Sequence, residues 1–314
     1  MNKVKSFFKL VRWTNLLIIA MMMCLVYYFL MAPLYAIGIA GVFPPSPSFL
    51  LLVISLVFIV AAGYVINDYY DVEMDKVNKP DKLIIGKIFT DKEAKFFYNV
   101  LSIIGLLTGL ASGIIALKSS FYIIFAMLLL LVCVLYSYSS TYKKKILVGN
   151  LIVSLSVAFA VFLPWLFEAL YVSNHELILS VCRDKLVHNL PFVLIYVGFA
   201  FITTLLREIV KDAEDYNGDS LTHCRTIPIV CGLKNTKIII CVLFCVLYAL
   251  LAYYHIIIIS LQANIAMILL LFVEFMAVVS VVTLFQIKEF ADFHRTSVFL
   301  KIQMVAGMLT MMFI

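Results

Sequence analysis

Charge is scarce in this 314-residue chain: 13% of its residues are Asp, Glu, Lys or Arg, against 64% that are hydrophobic. A polar complement this small excludes a soluble globular protein, which could not cover its own surface, and leaves a polytopic membrane protein. The chain lacks a low-complexity linker and has no polar stretch long enough to form a soluble domain. Its longest polar segments lie at about 68–94, 173–189 and 208–235. The seven cysteines (Cys24, Cys133, Cys182, Cys224, Cys231, Cys241 and Cys245) are scattered, without the paired spacing of a metal framework. They read as small apolar packing residues. No small-residue cleavage site follows the first apolar run, which begins after Lys3, Lys5, Lys9 and Arg12. That run is also too long for a signal peptide, so it is expected to persist as a helix.

What the chain has in abundance is long apolar runs. Every backbone group within a bilayer must be bonded internally, so these runs read as helices. The expectation is an all-α bundle of nine transmembrane helices, at about 15–38, 48–67, 95–116, 120–140, 147–172, 190–208, 236–257, 262–286 and 296–314. They would form one transmembrane domain over 1–314, with cap loops at about 68–94 and 208–235. On this scheme 21 of the 24 Lys and Arg residues fall on one side, and only Lys118, Arg183 and Lys185 on the other. The positive-inside rule then places the N-terminus and both cap loops in the cytoplasm and makes 173–189 an external segment. His175 and His188 in that segment read as solvated loop residues.

Acidic residues are few, and their placement is uneven. Half of the 18 sit in two windows, 68–75 and 208–219. Asp68, Asp71 and Asp75 match Asp212, Asp215 and Asp219 at a constant offset of 144 residues. Steps of three and four put each set on one face of a helix, beginning at the cytoplasmic end of a span. Three carboxylates on one face repel one another unless a cation sits among them. Magnesium suits such a set, because it takes a few carboxylate oxygens and fills its other positions with water and phosphate. The loops on the basic side offer contacts to a diphosphate: Lys79 and Lys82 follow the first window, Lys143 to Lys145 lie on the loop between the fourth and fifth spans, and Arg225 follows the second window. Most of these also read as membrane-surface or positive-inside residues. Arg225 has the geometry to grip phosphate oxygens bidentately. Glu73 and Glu214 fall off the face the aspartates share.

"NDYYDVEMD" (Asn67 to Asp75), followed by "NKPDK" and "IIGKI", resembles the first signature of the UbiA superfamily of intramembrane prenyltransferases. "KDAEDYNGD" (Lys211 to Asp219), followed by "RTIP", resembles the second. "RWTN" (Arg12 to Asn15) and "YSSTYKKKILVGN" (Tyr138 to Asn150) are weaker echoes of the same family. The resemblance covers essentially the whole chain. It implies two magnesium ions held by the aspartate sets, a prenyl diphosphate bound to them with its tail in an apolar tunnel, and an acceptor that captures the allylic cation. Carried over residue by residue, it makes Asn67, Asp68, Asp71, Asp75, Asp212, Asp215 and Asp219 metal ligands, direct or through water. It makes Lys143 and Arg225 diphosphate contacts. Lys82 stands where many members have Arg-Pro and would contact the diphosphate with less geometric control. Tyr138 is either an assistant at the diphosphate or an ordinary interfacial tyrosine.

The run "REIVKDAEDYNGD" is most similar to members that attach a second geranylgeranyl group to geranylgeranylglyceryl phosphate. Prenylation of an aromatic acid in quinone biosynthesis is the alternative the sequence leaves open. No nucleic-acid or obligate protein partner is expected; the partners are membrane lipids and the two substrates. A divalent-cation transporter would carry its acids at mid-membrane, where this chain has little beyond Glu168 and Glu274. A CDP-alcohol phosphotransferase would show a D-G-x-x-A-R run, which is missing.

Overall fold

The computed structural model describes residues 3–31, 46–78, 80–221 and 224–313. Its elements are helical: α1 (Lys3–Leu10), α2 (Trp13–Leu25, prolonged by a π-helical turn Val26–Met31), α3 (Ser46–Tyr70), α4 (Val72–Asn78), α5 (Asp91–Leu117), α6 (Phe121–Ser140), α7 (Val148–Ser173), α8 (Glu176–Glu214), α9 (Tyr216–Leu221), α10 (Ile227–Ser260), α11 (Asn264–Gln286) and α12 (His294–Leu309). Among the described residues, eight helical stretches are long and apolar enough to cross a membrane, counting 91–140 as one. At ~1.5 Å per residue those 50 residues would reach about 75 Å, far beyond a ~30 Å hydrocarbon layer. The stretch divides at Lys118, whose φ of 45° and ψ of −115° end α5 before α6 begins. The protein is thus an all-helical, multi-pass integral membrane protein. Of the expected first span, 32–38 lie outside the described residues, as does Lys79.

The chain forms two compact units. The first comprises 1–141 and 162–193, and the second 142–161 and 194–314. α7 and α8 each contribute residues to both.

In the first unit α3 packs on α5 with unusually little between the backbones. The sequence permits this because Gly105, Gly109 and Gly113 recur every four residues and form a smooth stripe on α5. A Cβ on Gly105 would stand 2.7 Å from Ile59 Cγ1 and 3.0 Å from the Ser55 carbonyl oxygen. Two hydroxyls use the closeness: Ser55 Oγ donates to the Gly105 carbonyl and Ser112 Oγ to the Ser48 carbonyl, both at 2.7 Å. α5 itself starts at a capping box, in which Thr90 and Glu93 satisfy each other's backbone N–H.

In the second unit α10 presents Ile240, Phe244, Leu247, Leu251, Tyr254 and Ile258 inward, a run at the helical period. α11 does the same with Leu270, Val273, Ala277, Ser280 and Leu284. Buried Tyr196 on α8 bonds Tyr254 on α10 and, at 2.8 Å, Thr310 just beyond α12.

One expectation about loops is corrected. The segment 173–189 is not a solvated loop: α8 begins at Glu176 and runs unbroken to Glu214, well past the expected 190–208 at both ends. Ile178, Cys182 and Leu186, at steps of four, bury one face of this extension against Val172 and the half-buried Trp165 and Ala169. Apolar residues spaced by four among polar ones look like a polar loop when composition alone is read. Of the cap segments, the first contains α4, and the second α9 and the start of α10, so Asp75 and Asp219 lie on helices as their spacing led one to expect. Gly232, with φ 72°, breaks α10 near its start.

Candidate active site

The first carboxylate set grows out of the end of α3. Asp68 lies in the last turn of that helix, Asp71 in the turn after it and Asp75 in α4. The backbone keeps helical bonding across the junction, from Asp71 N–H to the Asn67 carbonyl (3.0 Å) and from Asp75 N–H to the Asp71 carbonyl (2.8 Å). The D-x-x-D-x-x-x-D spacing therefore stays in helical register where α3 gives way to α4. Asp71 is buried, Asp68 and Asp75 half-buried.

Neighbours already orient these groups. Asn67 Nδ2 donates to Asp71 Oδ2 at 2.7 Å, which turns Asn67 Oδ1 the other way. That oxygen is buried and has no hydrogen-bond partner among the described residues. A buried acceptor without a donor is costly, and a cation satisfies it as well as a donor does. Arg12 Nη2 donates to Asp68 Oδ1 at 2.7 Å, with its guanidinium 4.8 Å from the centre of the Tyr64 ring. Burial alone would lower the Arg12 pKa, but Asp68, Tyr64 and Asp71 more than offset it, so the group stays cationic. Arg12 occupies the left-handed region (φ 51°), which separates α1 from α2.

The second set repeats the scheme within the other unit. Asp212 lies in the last turn of α8, Asp215 in the following turn and Asp219 in α9. The Asp215 N–H bonds the Lys211 carbonyl (2.8 Å) and the Asp219 N–H the Asp215 carbonyl (3.1 Å), so this register also continues. Asn150, buried near the start of α7, donates through Nδ2 to Asp212 Oδ2 at 2.7 Å. Buried Glu208 accepts from Arg207 and Lys211, both at 3.4 Å. Glu73 is solvated and paired with Lys76 at 2.7 Å, whereas Glu214 is in contact with His294 at 2.8 Å.

The basic candidates divide. Lys143 is half-buried in the short turn Tyr142–Lys144, while Lys144 and Lys145 are exposed. The Arg225 N–H bonds the Lys144 carbonyl at 3.0 Å, which ties the residues after α9 to the turn before α7, with the Arg225 side chain exposed. Lys82 ends a short 3₁₀ turn, Pro80–Lys82. Tyr138 is half-buried in the last turn of α6 and belongs to the first unit, whereas Lys143 belongs to the second. Sequence reasoning gave no role to Arg12 or Asn150, although both stand in the quoted "RWTN" and "YSSTYKKKILVGN" runs. The available signal was a polar residue at the start of a span on the side that carries the aspartates.

Among the described residues, no three His, Cys, Asp or Glu side chains close on one point as a complete protein cage would. The donor set is still suited to magnesium. It is all oxygen, it includes the orphaned Asn67 Oδ1, and magnesium usually keeps water and substrate phosphate as its remaining ligands.

The family model for the UbiA prenyltransferase family matches residues 25–302. A digeranylgeranylglyceryl phosphate synthase from Saccharolobus solfataricus is 33% identical over 234 residues, 74% of this chain and 71% of that protein. A solved digeranylgeranylglyceryl phosphate synthase structure superposes with a TM-score of 0.63 at 24% identity, covering 99% of this chain and 98% of that one. A UbiA homologue from Archaeoglobus fulgidus, solved bound to DMAPP and Mg2+, superposes with a TM-score of 0.53 at 15% identity over 98% of this chain and all of that one. These structural likenesses establish the fold.

Proposed function

The chain belongs to the UbiA prenyltransferase family, and we propose that it transfers a geranylgeranyl group from its diphosphate to the free hydroxyl of geranylgeranylglyceryl phosphate or a closely similar lipid. The observation that carries this reading is the twice-repeated D-x-x-D-x-x-x-D, each copy in helical register and each with one aspartate held by a neighbouring polar side chain, Arg12 or Asn150. Relatives that match most of the chain are named as digeranylgeranylglyceryl phosphate synthases, the product this reaction would give, and the structural neighbour solved with DMAPP and Mg2+ supports a metal-dependent prenyl donor.

In the proposed reaction the allylic carbon–oxygen bond breaks and its electron pair leaves with pyrophosphate. The acceptor hydroxyl oxygen then forms the new ether bond and loses its proton. Asn67, Asp68, Asp71 and Asp75 would hold one magnesium ion, and Asp212, Asp215 and Asp219 a second. When bound, the ions offset negative charge developing on the departing pyrophosphate. Arg12 and Asn150 fix carboxylate oxygens before substrate arrives, so less reorganisation is needed during the reaction. Lys82, Lys143 and Arg225 contact the diphosphate, Lys143 from a half-buried position where its charge is less screened. Tyr138 assists at the diphosphate. Apolar helices keep water from the cation, which would otherwise be captured as an alcohol.

The reading includes nine spans in a single domain, a cytoplasmic N-terminus and an active site opening to the cytoplasm; the placement of 21 basic residues on that side supports it. It is tested with purified protein, magnesium and geranylgeranyl diphosphate, offered glyceryl phosphate ethers and aromatic acids in parallel, with product masses as readout. The expected product carries a second geranylgeranyl ether. Prenylated aromatic acid, without ether product, overturns the acceptor.

A further inference from the structure

The segment that runs from the end of α11 into the first residue of α12 contains no residue of either signature, yet it meets the neighbours of Asp215 at two points. The Phe290 ring stacks on Tyr216, with centroids 4.0 Å apart and planes 8° from parallel. His294 Nδ1 lies 2.8 Å from Glu214 Oε1. Glu214 immediately precedes Asp215 and Tyr216 immediately follows it, so the two contacts bracket that carboxylate along the chain.

The bracketed segment needs support. α8 ends at Glu214, Asp215 sits in the intervening turn, and Asp219 rides on α9, which has only six residues. A helix of that length is not stable on its own, and its one acid, Asp219, follows Asp212, Glu214 and Asp215 closely along the chain, so like charges act against the junction. The connection that meets it is, by contrast, well fixed. Phe293 is fully buried and lies 6.4 Å from Phe290. Asp292 Oδ2 accepts from the N–H groups of Lys288 and Glu289, both at 3.1 Å, and the Lys237 ammonium donates to the Ile287 carbonyl.

We propose that Phe290 and His294 are positioning residues that brace the α8–α9 junction, so that Asp215 and Asp219 are presented to magnesium and the prenyl diphosphate in a fixed geometry. The proposal rests on the reading of those aspartates as metal ligands. The stack carries more of the effect than the polar contact. His294 is 69% exposed, so its bond to Glu214 competes with water, whereas the ring pair is half-buried.

The test is calorimetric titration of full-length protein in detergent with magnesium and the non-reacting thio analogue of geranylgeranyl diphosphate. Phe290→Ala should weaken binding roughly three- to tenfold, the size of one aromatic pair. Phe290→Tyr should restore it, and Phe290→Leu, which keeps apolar bulk but not the stack, should not. His294→Ala should lose about twofold, with His294→Gln recovering it. The acceptor KM should be unchanged in all of them. If Phe290→Ala and Phe290→Leu both bind with wild-type affinity, or if Phe290→Tyr fails to rescue a loss, the brace is wrong. Asp212→Asn, which lies outside the braced segment, separates the two ideas. Wild-type binding there overturns the metal-ligand reading itself, whereas loss there with normal Phe290 variants overturns the brace alone.

Discussion

On the proposed function, Asp212 is a side chain held ready for a cation. Its Oδ2 accepts from Asn150 at 2.7 Å, while Glu208 and Asp219 add negative charge near it. Without the amide donor the carboxylate would be freer to turn away from like charges. Asn150→Ala should therefore raise the magnesium concentration needed for half-maximal pyrophosphate release by about tenfold, in line with other residues that orient metal ligands. Asn150→Gln should not rescue, since one added methylene misplaces the donor. A magnesium titration of each variant checks this, and an unchanged midpoint would remove Asn150 from the site. At this scale the aspartates were legible because their spacing repeats. Arg12 and Asn150 were not, because a lone Arg or Asn at the start of a span has no periodic partner, and only the folded chain brings it within 2.7 Å of a carboxylate.

Helix pairing is governed by what is small. α3 and α5 meet along Gly105 and Gly109, where Ile59 and Ser55 occupy the space a side chain would need. Lipid offers no hydrophobic gain for bringing two apolar helices together, so close packing and the Ser55 and Ser112 hydrogen bonds supply the stabilisation. Gly105→Ala should cost about 1–3 kcal/mol, since the obstacle includes backbone. Gly307→Ala, with nothing within 4 Å of the added Cβ, should be neutral or gain up to ~1 kcal/mol. Paired thermal melts in detergent distinguish these, and equal shifts would contradict the packing. Helix existence was readable from hydropathy, but helix length was not. The extension of α8 from 190 back to Glu176 depends on Ile178, Cys182 and Leu186 finding apolar partners on α7, and no count of polar residues reveals that. The break at Lys118 was legible because charged and polar residues interrupt an apolar run there.

Across the molecule, a chain with 13% charged residues concentrates half of its acids in two short windows 144 residues apart. The proposed function makes this distribution intelligible: the carboxylates are kept for one purpose, and the apolar remainder shields a reactive cation from water. The claim that both sets serve one reaction is open to a direct measurement. Magnesium-dependent pyrophosphate release from geranylgeranyl diphosphate is followed in Asp68→Asn and Asp212→Asn, each verified as folded by its thermal melt. Loss of turnover in both variants is the expected result. Wild-type turnover in either, from protein that melts normally, would contradict it.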